Sequence, residues 1–369
     1  MKIVCNRQEL LESLNGVSRA VSTKSSIPAI EGILLKCSND TVILTAYDLE
    51  IGIVTSFVAD VKEPGEIVLN SRLLIDMIRK MSSETVTIDA DSELKAQITG
   101  GITKFSFVGI PASDFPEMPI PDAENTLTLK ASVLKEMIGK TIFAVSTSDQ
   151  KPVHTGTKFI MNNDSLTMVS VDGYRLAVCT QKVDFSNDNK SFIVPAKTLS
   201  EVTKLMGEGE EDVNIGIARR YGVFQLNNYT VITRLLEGDF LDYKKSIPEG
   251  FKTRVKIGVR ELFDAVERAS LIINDRFKSP IKFVFEDNRT VVTCATALGN
   301  AYDEIICDTE GDAVEMGFNN RYVLDALRNC GCDEVYLEIG GPISPLKMVP
   351  VQGNDFLFLL LPVRIKTAD

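Results

Sequence analysis

The chain has 369 residues, of which 44% are hydrophobic and 25% are charged, which is enough for two or three domains with cores of their own. No apolar run approaches the roughly 18 residues of a membrane span, and the start Met1–Arg7 lacks the apolar segment of a signal peptide. We therefore expect a soluble, cytoplasmic protein without a membrane partner. The net charge of -11, taken alone, argues against nucleic acid, because phosphate contacts require Lys and Arg.

Seven cysteines and one histidine limit the chemistry that the chain can support. An odd number of cysteines does not suit a disulfide framework, and zinc usually requires two closely spaced pairs of ligands. The one close pair is Cys330 and Cys332, and the one histidine is His154. We expect reduced structural cysteines, no metal and no cofactor.

Along the chain, the predicted elements fall into three copies of one module, which repeats about every 125 residues. Each copy starts with an amphipathic helix that buries one face. The apolar positions of these helices are Leu10, Leu11, Leu14, Val17 and Val21, then Leu134, Met137, Ile138, Thr141 and Ile142, and then Leu262, Ala265, Val266, Ala269 and Ile273.

A short apolar strand and a second helix follow in every copy. The strand meets the helix at Asn70–Ser71, Pro195–Ala196 and Asn319–Asn320, and Asn and Pro suit helix starts. An alternating, half-buried strand comes next. The sequence thus predicts an α+β fold of three similar domains, residues 1–120, 121–248 and 249–369. Each has two helices packed on antiparallel sheets and about eight strands.

Three cations occupy one position of the repeat, just inside the second helix: Arg72, Lys197 and Arg321. A cation there faces the positive end of the helix dipole, which costs roughly 0.3–1 kcal/mol. The repetition suggests an anionic partner that compensates this cost, and the alternative is chance combined with a surface salt bridge. With further cations beside the first helices, the pattern indicates one mildly basic, helix-built face on an acidic protein.

Four segments resemble the bacterial DNA polymerase III beta subunit family. The most recognisable is Val169–Val178 (VSVDGYRLAV), and Phe192–Lys197 (FIVPAK), Asp239–Tyr243 (DFLDY) and Leu361–Arg364 (LPVR) match as well. The resemblance covers essentially the whole chain, with the threefold repeat in register. It implies a DNA sliding clamp, in which two chains form a head-to-tail ring. Helices line the hole, strands form the outside, and duplex DNA threads through without being read.

The resemblance also implies partners and surfaces. The partners are double-stranded DNA, the catalytic subunit of DNA polymerase III, a clamp loader, and other polymerases and repair proteins that carry short peptide motifs. The implied DNA-facing residues are Lys24, Arg72, Lys151, Lys197 and Arg321, and the implied homodimer contacts are Leu73, Leu74, Leu271 and Ile272. No catalytic residue is implied.

A pocket for client peptides is implied between the middle and last domains. Its residues are His154, Val171, Gly173, Tyr174, Arg175, Leu176, Leu241, Lys245, Ser246, Leu359, Leu361, Pro362, Val363 and Arg364. Most are apolar, as in a ligand groove, and the alternative is an ordinary core with an edge strand. Pro362 cannot donate a ladder hydrogen bond, so we expect the chain beyond it to be free to form one wall of the groove.

Three features depart from the family pattern and bear on the pocket mouth. His154 stands where an apolar residue is usual, and Leu241 stands where proline is usual. The chain also continues past Arg364, through Ile365–Asp369, where family members usually stop sooner.

Two other classes of function are an enzyme and a protein ring that does not thread DNA. No segment has the spacing of a Gly-rich phosphate loop, and with one His, acid–base chemistry would fall to other side chains. Asp172–Arg175 is better interpreted as a tight turn, with Gly173 at positive φ, than as a catalytic loop. Threading separates a clamp from a purely structural ring, because a clamp is retained on circular DNA and lost when the circle is cut.

Overall fold

The computed structural model describes residues 1–122, 124–162, 164–183, 190–207, 209–274 and 279–365, with the backbone alone at 124–126. The chain divides into two compact units, residues 1–134 with 197–235, and residues 135–196 with 236–369. No helix among the described residues is long and apolar enough to cross a membrane.

The first copy of the module contains nine strands and two helices. They are β1 (Lys2–Asn6), α1 (Arg7–Val17), β2 (Gly32–Ser38), β3 (Thr41–Tyr47), β4 (Ile51–Val58), β5 (Asp60–Glu63), β6 (Gly65–Asn70), α2 (Ser71–Lys80), β7 (Thr85–Ala90), β8 (Lys95–Gly100) and β9 (Thr103–Val108).

The second copy repeats this order without an equivalent of β5 among its described residues. Its elements are β10 (Glu124–Lys130), α3 (Ala131–Ile142), β11 (Gly156–Asn162), β12 (Ser165–Val171), β13 (Arg175–Lys182), β14 (Lys190–Pro195), α4 (Ala196–Leu205), β15 (Asp212–Ala218), β16 (Tyr221–Leu226) and β17 (Tyr229–Arg234).

The third copy has the order of the first. Its elements are β18 (Thr253–Gly258), α5 (Val259–Ser270), β19 (Ile281–Glu286), β20 (Arg289–Thr296), β21 (Gly299–Ile306), β22 (Asp308–Gly311), β23 (Val314–Phe318), α6 (Asn320–Asn329), β24 (Glu334–Ile339), β25 (Leu346–Pro350) and β26 (Phe356–Leu360).

Helix starts follow the predicted capping chemistry, whereas two helix ends do not follow the apolar pattern. The side chain of Asn70 accepts the Leu73 N–H at 3.0 Å, and that of Asn319 accepts the Arg321 N–H at 2.9 Å. Helix α1 ends at Val17 and tightens into a 3-10 turn, so that Val21 is extended. Ile273 likewise lies beyond the end of α5. Both helices are therefore about one turn shorter than predicted.

The strands form four antiparallel sheets, two in each unit. The unit with the N-terminus holds a sheet in the order β5-β1-β7-β8-β9 and another in the order β10-β15-β16-β17-β4-β3-β2-β6. The other unit holds β14-β11-β12-β13-β26-β25-β24-β18-β22 and β21-β20-β19-β23. The eight- and nine-stranded sheets each join two copies, through the β17·β4 pair and the β13·β26 pair. The predicted α+β fold is confirmed.

Each unit is held together by a buried apolar core between its helices and sheets. In the unit with the N-terminus, Leu10 and Leu14 of α1 are fully buried with Ile33. In the other unit, Leu262 of α5 joins a cluster with Phe358. Burying a side chain of this size stabilises a fold by about 1.5–3 kcal/mol, so these clusters hold the strands that position the sites below.

Candidate functional sites

Three of the predicted pocket residues meet in one apolar cluster. The β12·β13 pair sets Val171 opposite Leu176, and the β13·β26 pair sets Leu176 opposite Leu359. All three are buried, and Phe240 and Tyr243 pack against them while remaining partly exposed. The cluster is thus a floor of side chains from adjacent strands, with two aromatic rings at its margin.

The turn between β12 and β13 has the tight geometry that the sequence predicts. The Asp172 carboxylate accepts the N–H groups of Tyr174 at 2.8 Å and Arg175 at 3.0 Å. Gly173 has φ +92°, a conformation that disfavours residues with a Cβ. Leu361 donates its N–H to the carbonyl of Tyr174 at 2.9 Å. The turn therefore anchors the chain where β26 ends.

Arg175, which the resemblance assigns to the pocket, makes its polar contacts within the protein. Its Nε lies 3.0 Å from an Asp172 oxygen and its Nη1 lies 2.6 Å from an Asp325 oxygen. The guanidinium carbon lies 4.4 Å from the ring centre of Tyr322 and 5.6 Å from that of Phe143. Only 11% of its side chain is exposed, so Arg175 joins the second copy to α6.

His154 lies at the margin of the floor. Its ring meets that of Phe240 edge to face, with 5.4 Å between centres. Burial lowers the pKa of His154 below its usual value of 6.5, and Lys151 lowers it further, while Asp172 acts in the opposite direction. A neutral imidazole at pH 7 suits an apolar margin, so the substitution of histidine for an apolar residue retains the character of the site.

Three further residues of the predicted pocket, Leu241, Lys245 and Ser246, lie in or next to a 3-10 turn at Tyr243–Ser246. Leu241 precedes the turn and is 40% exposed, and Ser246 is exposed at its end. Lys245 is also exposed and lies 3.0 Å from the Asp242 carboxylate. An exposed leucine next to partly exposed aromatic residues is available to a ligand.

The chain after Pro362 is held, which corrects the expectation of a free wall. Val363 donates its N–H to the Gly317 carbonyl at 2.8 Å, as a single bridge to the edge of β23. Val363 and Arg364 line a cavity of about 380 Å³ with residues 319–321 at the start of α6. Val363 and Arg364, which were predicted to line the client-peptide pocket, thus line a cavity that does not include the floor residues Val171, Leu176 and Leu359. Residues 366–369 lie outside the described residues.

The three repeated cations lie where the sequence predicts them, at the second residue of α2, α4 and α6. The ammonium of Lys197 lies 2.5 Å from the carboxylate of Asp48, in the turn before β4. At Lys197, this salt bridge offsets the unfavourable interaction of the cation with the helix dipole. This is the alternative to an anionic partner that the sequence left open. Arg72 is exposed and lines a cavity of about 530 Å³ between α1 and α2. Lys24 and Lys151 are exposed as well.

Comparisons with known proteins place the chain in a family. Models of the DNA polymerase III beta subunit match in chain order: the N-terminal domain at residues 1–119, the central domain at 128–242 and the C-terminal domain at 244–364. A beta sliding clamp from Staphylococcus aureus is 30% identical over 374 residues, covering 99% of each chain. The chain belongs to the DNA polymerase III beta subunit family.

Solved structures of family members agree with the fold. A putative DNA polymerase III beta subunit from Eubacterium rectale has 32% identity and a TM-score of 0.95, over 98% of this chain and 99% of that one. A DNA polymerase sliding clamp from Bacillus subtilis has 27% identity and a TM-score of 0.96, over 99% of this chain and 100% of that one. The family consists of non-catalytic processivity factors of DNA polymerase III, which confirms the predicted clamp function and the absence of an enzymatic role.

The leucines and isoleucine assigned to a dimer contact by family position differ in exposure. Leu73 is 49% exposed and Leu271 is 81% exposed, so both can meet a partner. Ile272 is partly buried against the core of the third copy. Leu74 is fully buried in the core of the first copy, so its assignment to the contact surface was wrong. A helix turns by about 100° per residue, so Leu73 and Leu74 point in different directions.

Sequence reasoning missed three side chains that hold the turn at the pocket. Phe143, Tyr322 and Asp325 all contact Arg175, and no local motif marks them. Asp325 is 150 residues away along the chain, so only the folded structure reveals the contact. No group of three or more metal-ligating side chains lies together in the part of the chain that the structure describes.

Proposed function

We propose that this sliding clamp works as a homodimeric ring that encircles duplex DNA and tethers the DNA polymerase III catalytic subunit. A clamp loader would open it, and other polymerases and repair proteins would exchange on it through short peptides. This proposal rests on the match of all three family domains, at residues 1–119, 128–242 and 244–364. Replication would place the ring on the chromosome, in the cytoplasm.

The sheet order supports closure of two copies by a strand pair. β4, β13 and β21 hold the same place in the three copies, and so do β9, β17 and β26. Within the chain, β17 pairs with β4 and β26 pairs with β13, both antiparallel. Among the described strands, β9 and β21 each have one neighbour. The same rule pairs β9 of one copy with β21 of the other, which occurs twice in a head-to-tail dimer.

One side-chain contact at the β13·β26 junction supports a matching contact between the two copies. The turn before β13 places Tyr174 against Tyr322, the third residue of α6, with 6.1 Å between ring centres. The equivalent turn before β21 carries Leu298, and the third residue of α2 is Leu73. Both leucines are exposed, at 59% and 49%. We therefore propose that Leu298 of one copy meets Leu73 of the other.

Native mass tests ring closure. Light scattering should give about 81 kDa, twice the 40.6 kDa chain. Leu298→Asp should shift the chain towards a monomer, because it places a charge in an apolar contact. Ile343→Asp is the matched control, since Ile343 is 89% exposed and lies outside the proposed contact. A monomeric wild-type chain at micromolar concentration would refute the ring.

The DNA-facing assignment rests on Lys24, Arg72, Lys151, Lys197 and Arg321. We propose that they contact phosphates without reading bases, so that affinity falls with salt. Each lost phosphate contact should reduce the log–log salt slope by roughly 0.9. Reversing the charge of Arg72, Lys197 and Arg321 together should flatten the slope, and an unchanged slope would remove this assignment.

Threading is tested separately from phosphate contact. A clamp placed on circular DNA by its loader should be retained during gel filtration and lost after the circle is cut. Equal retention on cut and circular DNA would favour a ring that does not thread DNA.

The client-peptide pocket rests on the floor formed by Val171, Leu176 and Leu359. We propose that an extended peptide places a Leu or Phe side chain against this floor, between His154 and Leu241. Clients must exchange, so we expect micromolar affinity, about -8 kcal/mol. Titration calorimetry with a polymerase C-terminal peptide should show at least tenfold weaker binding to Leu241→Asp. Unchanged binding to Leu241→Asp would place the pocket elsewhere, and Ile343→Asp is again the control.

A further inference from the structure

Asp325 of α6 begins a row of neighbouring side chains that ends at the turn between β12 and β13. Its carboxylate lies 2.6 Å from Nη1 of Arg175, and the guanidinium carbon of Arg175 lies 4.4 Å from the ring centre of Tyr322. The Tyr322 ring stacks on that of Tyr174, with 6.1 Å between centres and 27° between planes. The row thus connects an acid of α6 to a residue of the predicted pocket.

The two ends of this row differ in access to solvent. The Arg175 side chain is 11% exposed, whereas Tyr174 is 60% exposed. The backbone of Tyr174 is fixed, because Asp172 accepts its N–H and its carbonyl accepts the N–H of Leu361. The ring contact with Tyr322 orients its exposed side chain. Ordering a side chain before a ligand binds reduces the entropy that is lost on binding.

Arg175 acts on the pocket from the face of the sheet opposite the floor. Successive side chains of a strand point to opposite faces. Leu176 belongs to the floor cluster, whereas Ala177 belongs to the core that includes residues of α5 and α6, so Arg175 shares the face of Ala177. A substitution that frees Arg175 therefore disturbs the turn without altering the apolar side chains that a peptide would cover.

The same helix position carries an acid in the second copy. Glu201 is the sixth residue of α4, as Asp325 is of α6, and its carboxylate lies 3.3 Å from Nη1 of Arg19. The first residue of β4, which corresponds to Arg175 at the start of β13, is Ile51. Glu201 thus forms an ion pair of the same kind, but with a residue that does not belong to a turn of the predicted pocket.

We propose that Asp325 is a positioning residue of the client-peptide pocket, an inference that rests on the pocket proposed above. Its carboxylate holds the Arg175 guanidinium against the Tyr322 ring, and this ring holds Tyr174 in the orientation that a client peptide meets. Asp325 acts through Arg175 and does not touch the peptide. Without the charge at position 325, Arg175 keeps the carboxylate of Asp172 as its partner, and the guanidinium is free to move away from Tyr322.

Titration calorimetry of the full-length chain with a polymerase C-terminal peptide tests the proposal. Asp325→Asn keeps the volume of the side chain and removes its charge, and it should weaken peptide binding roughly three- to tenfold. Asp325→Glu should bind the peptide as the wild type does, because a glutamate at this helix position reaches a guanidinium in the second copy. Light scattering should give the same mass for both variants and the wild type, so that a change in assembly does not account for the lost affinity.

Glu201→Gln is the matched control. It removes the same charge from the same helix position and should lower Tm as Asp325→Asn does, but it should leave peptide affinity within about twofold of the wild type. Wild-type affinity in Asp325→Asn, together with weak binding to Leu241→Asp, would overturn the positioning role and leave the pocket in place. Equal weakening in Asp325→Asn and Glu201→Gln would also overturn it, because the loss would then follow stability alone. A wild-type chain that does not bind the peptide would overturn the pocket and the positioning role together.

Discussion

Replacing Arg175 by Ala separates two roles for this side chain, a ligand contact and an internal tie. Breaking a buried ion pair by removing one partner costs about 3–5 kcal/mol. Asp325 is 31% exposed and keeps Arg328 at 3.4 Å, and Asp172 keeps two backbone N–H groups. We therefore expect a loss of about 2–3 kcal/mol, which includes the stacking on Tyr322.

Thermal unfolding of the wild type and the variant measures this loss. For a unit of this size, a loss of about 2–3 kcal/mol corresponds to a decrease in Tm of about 4–12 °C. Arg328→Ala is the matched control, because Arg328 is 57% exposed, and its loss should cost less than about 1 kcal/mol. A double-mutant cycle with Asp325→Asn should show coupling between the two positions. An unchanged Tm together with lost peptide affinity would refute the internal role and restore Arg175 as a ligand contact.

Three further predictions concern charge, acidity and the C-terminal segment. Asp48→Asn should release Lys197 and increase DNA affinity, whereas Lys197→Glu should decrease DNA affinity, as measured by binding at several salt concentrations. Unchanged DNA affinity in both variants would leave Lys197 as a partner of Asp48 alone. The pKa of His154 is lowered in the fold, so below pH 6.5 the unfolded chain binds more protons than the folded chain, and stability falls with acidification. His154→Gln should remove this part of the pH dependence of Tm. Identical pH profiles of Tm for the variant and the wild type would contradict this prediction. Gly317→Val should displace the segment after Pro362, because a Cβ at position 317 would lie 2.8 Å from Cγ1 of Ile365 and 3.0 Å from the Val363 carbonyl oxygen. Faster proteolysis at the C-terminus would report this displacement. An unchanged cleavage rate would show that the segment accommodates the valine without being displaced.

Local patterns were sufficient for the elements and their repetition. The spacing of apolar residues and the capping asparagines depend on neighbours within one helical turn, so they predicted where α2 and α6 begin. The same local reasoning predicted the tight turn at Gly173, because glycine adopts a positive φ more readily than other residues. It failed at Val21 and Ile273, where the chain leaves the helix although the apolar spacing continues, because packing decides where a helix ends.

The amino-acid pattern was sufficient to predict the threefold module, its α+β class, the position of the repeated cations and, through its motifs, the family. The contacts that those residues make follow only from the folded chain. Lys197 is paired with Asp48, Arg175 with Asp325, and Val363 with Gly317, each across a long stretch of chain. Such pairings depend on which strands lie side by side, and the energy of a contact does not depend on the distance along the chain. A pattern read over a few residues therefore predicts what a side chain can do, and the fold alone decides what it contacts.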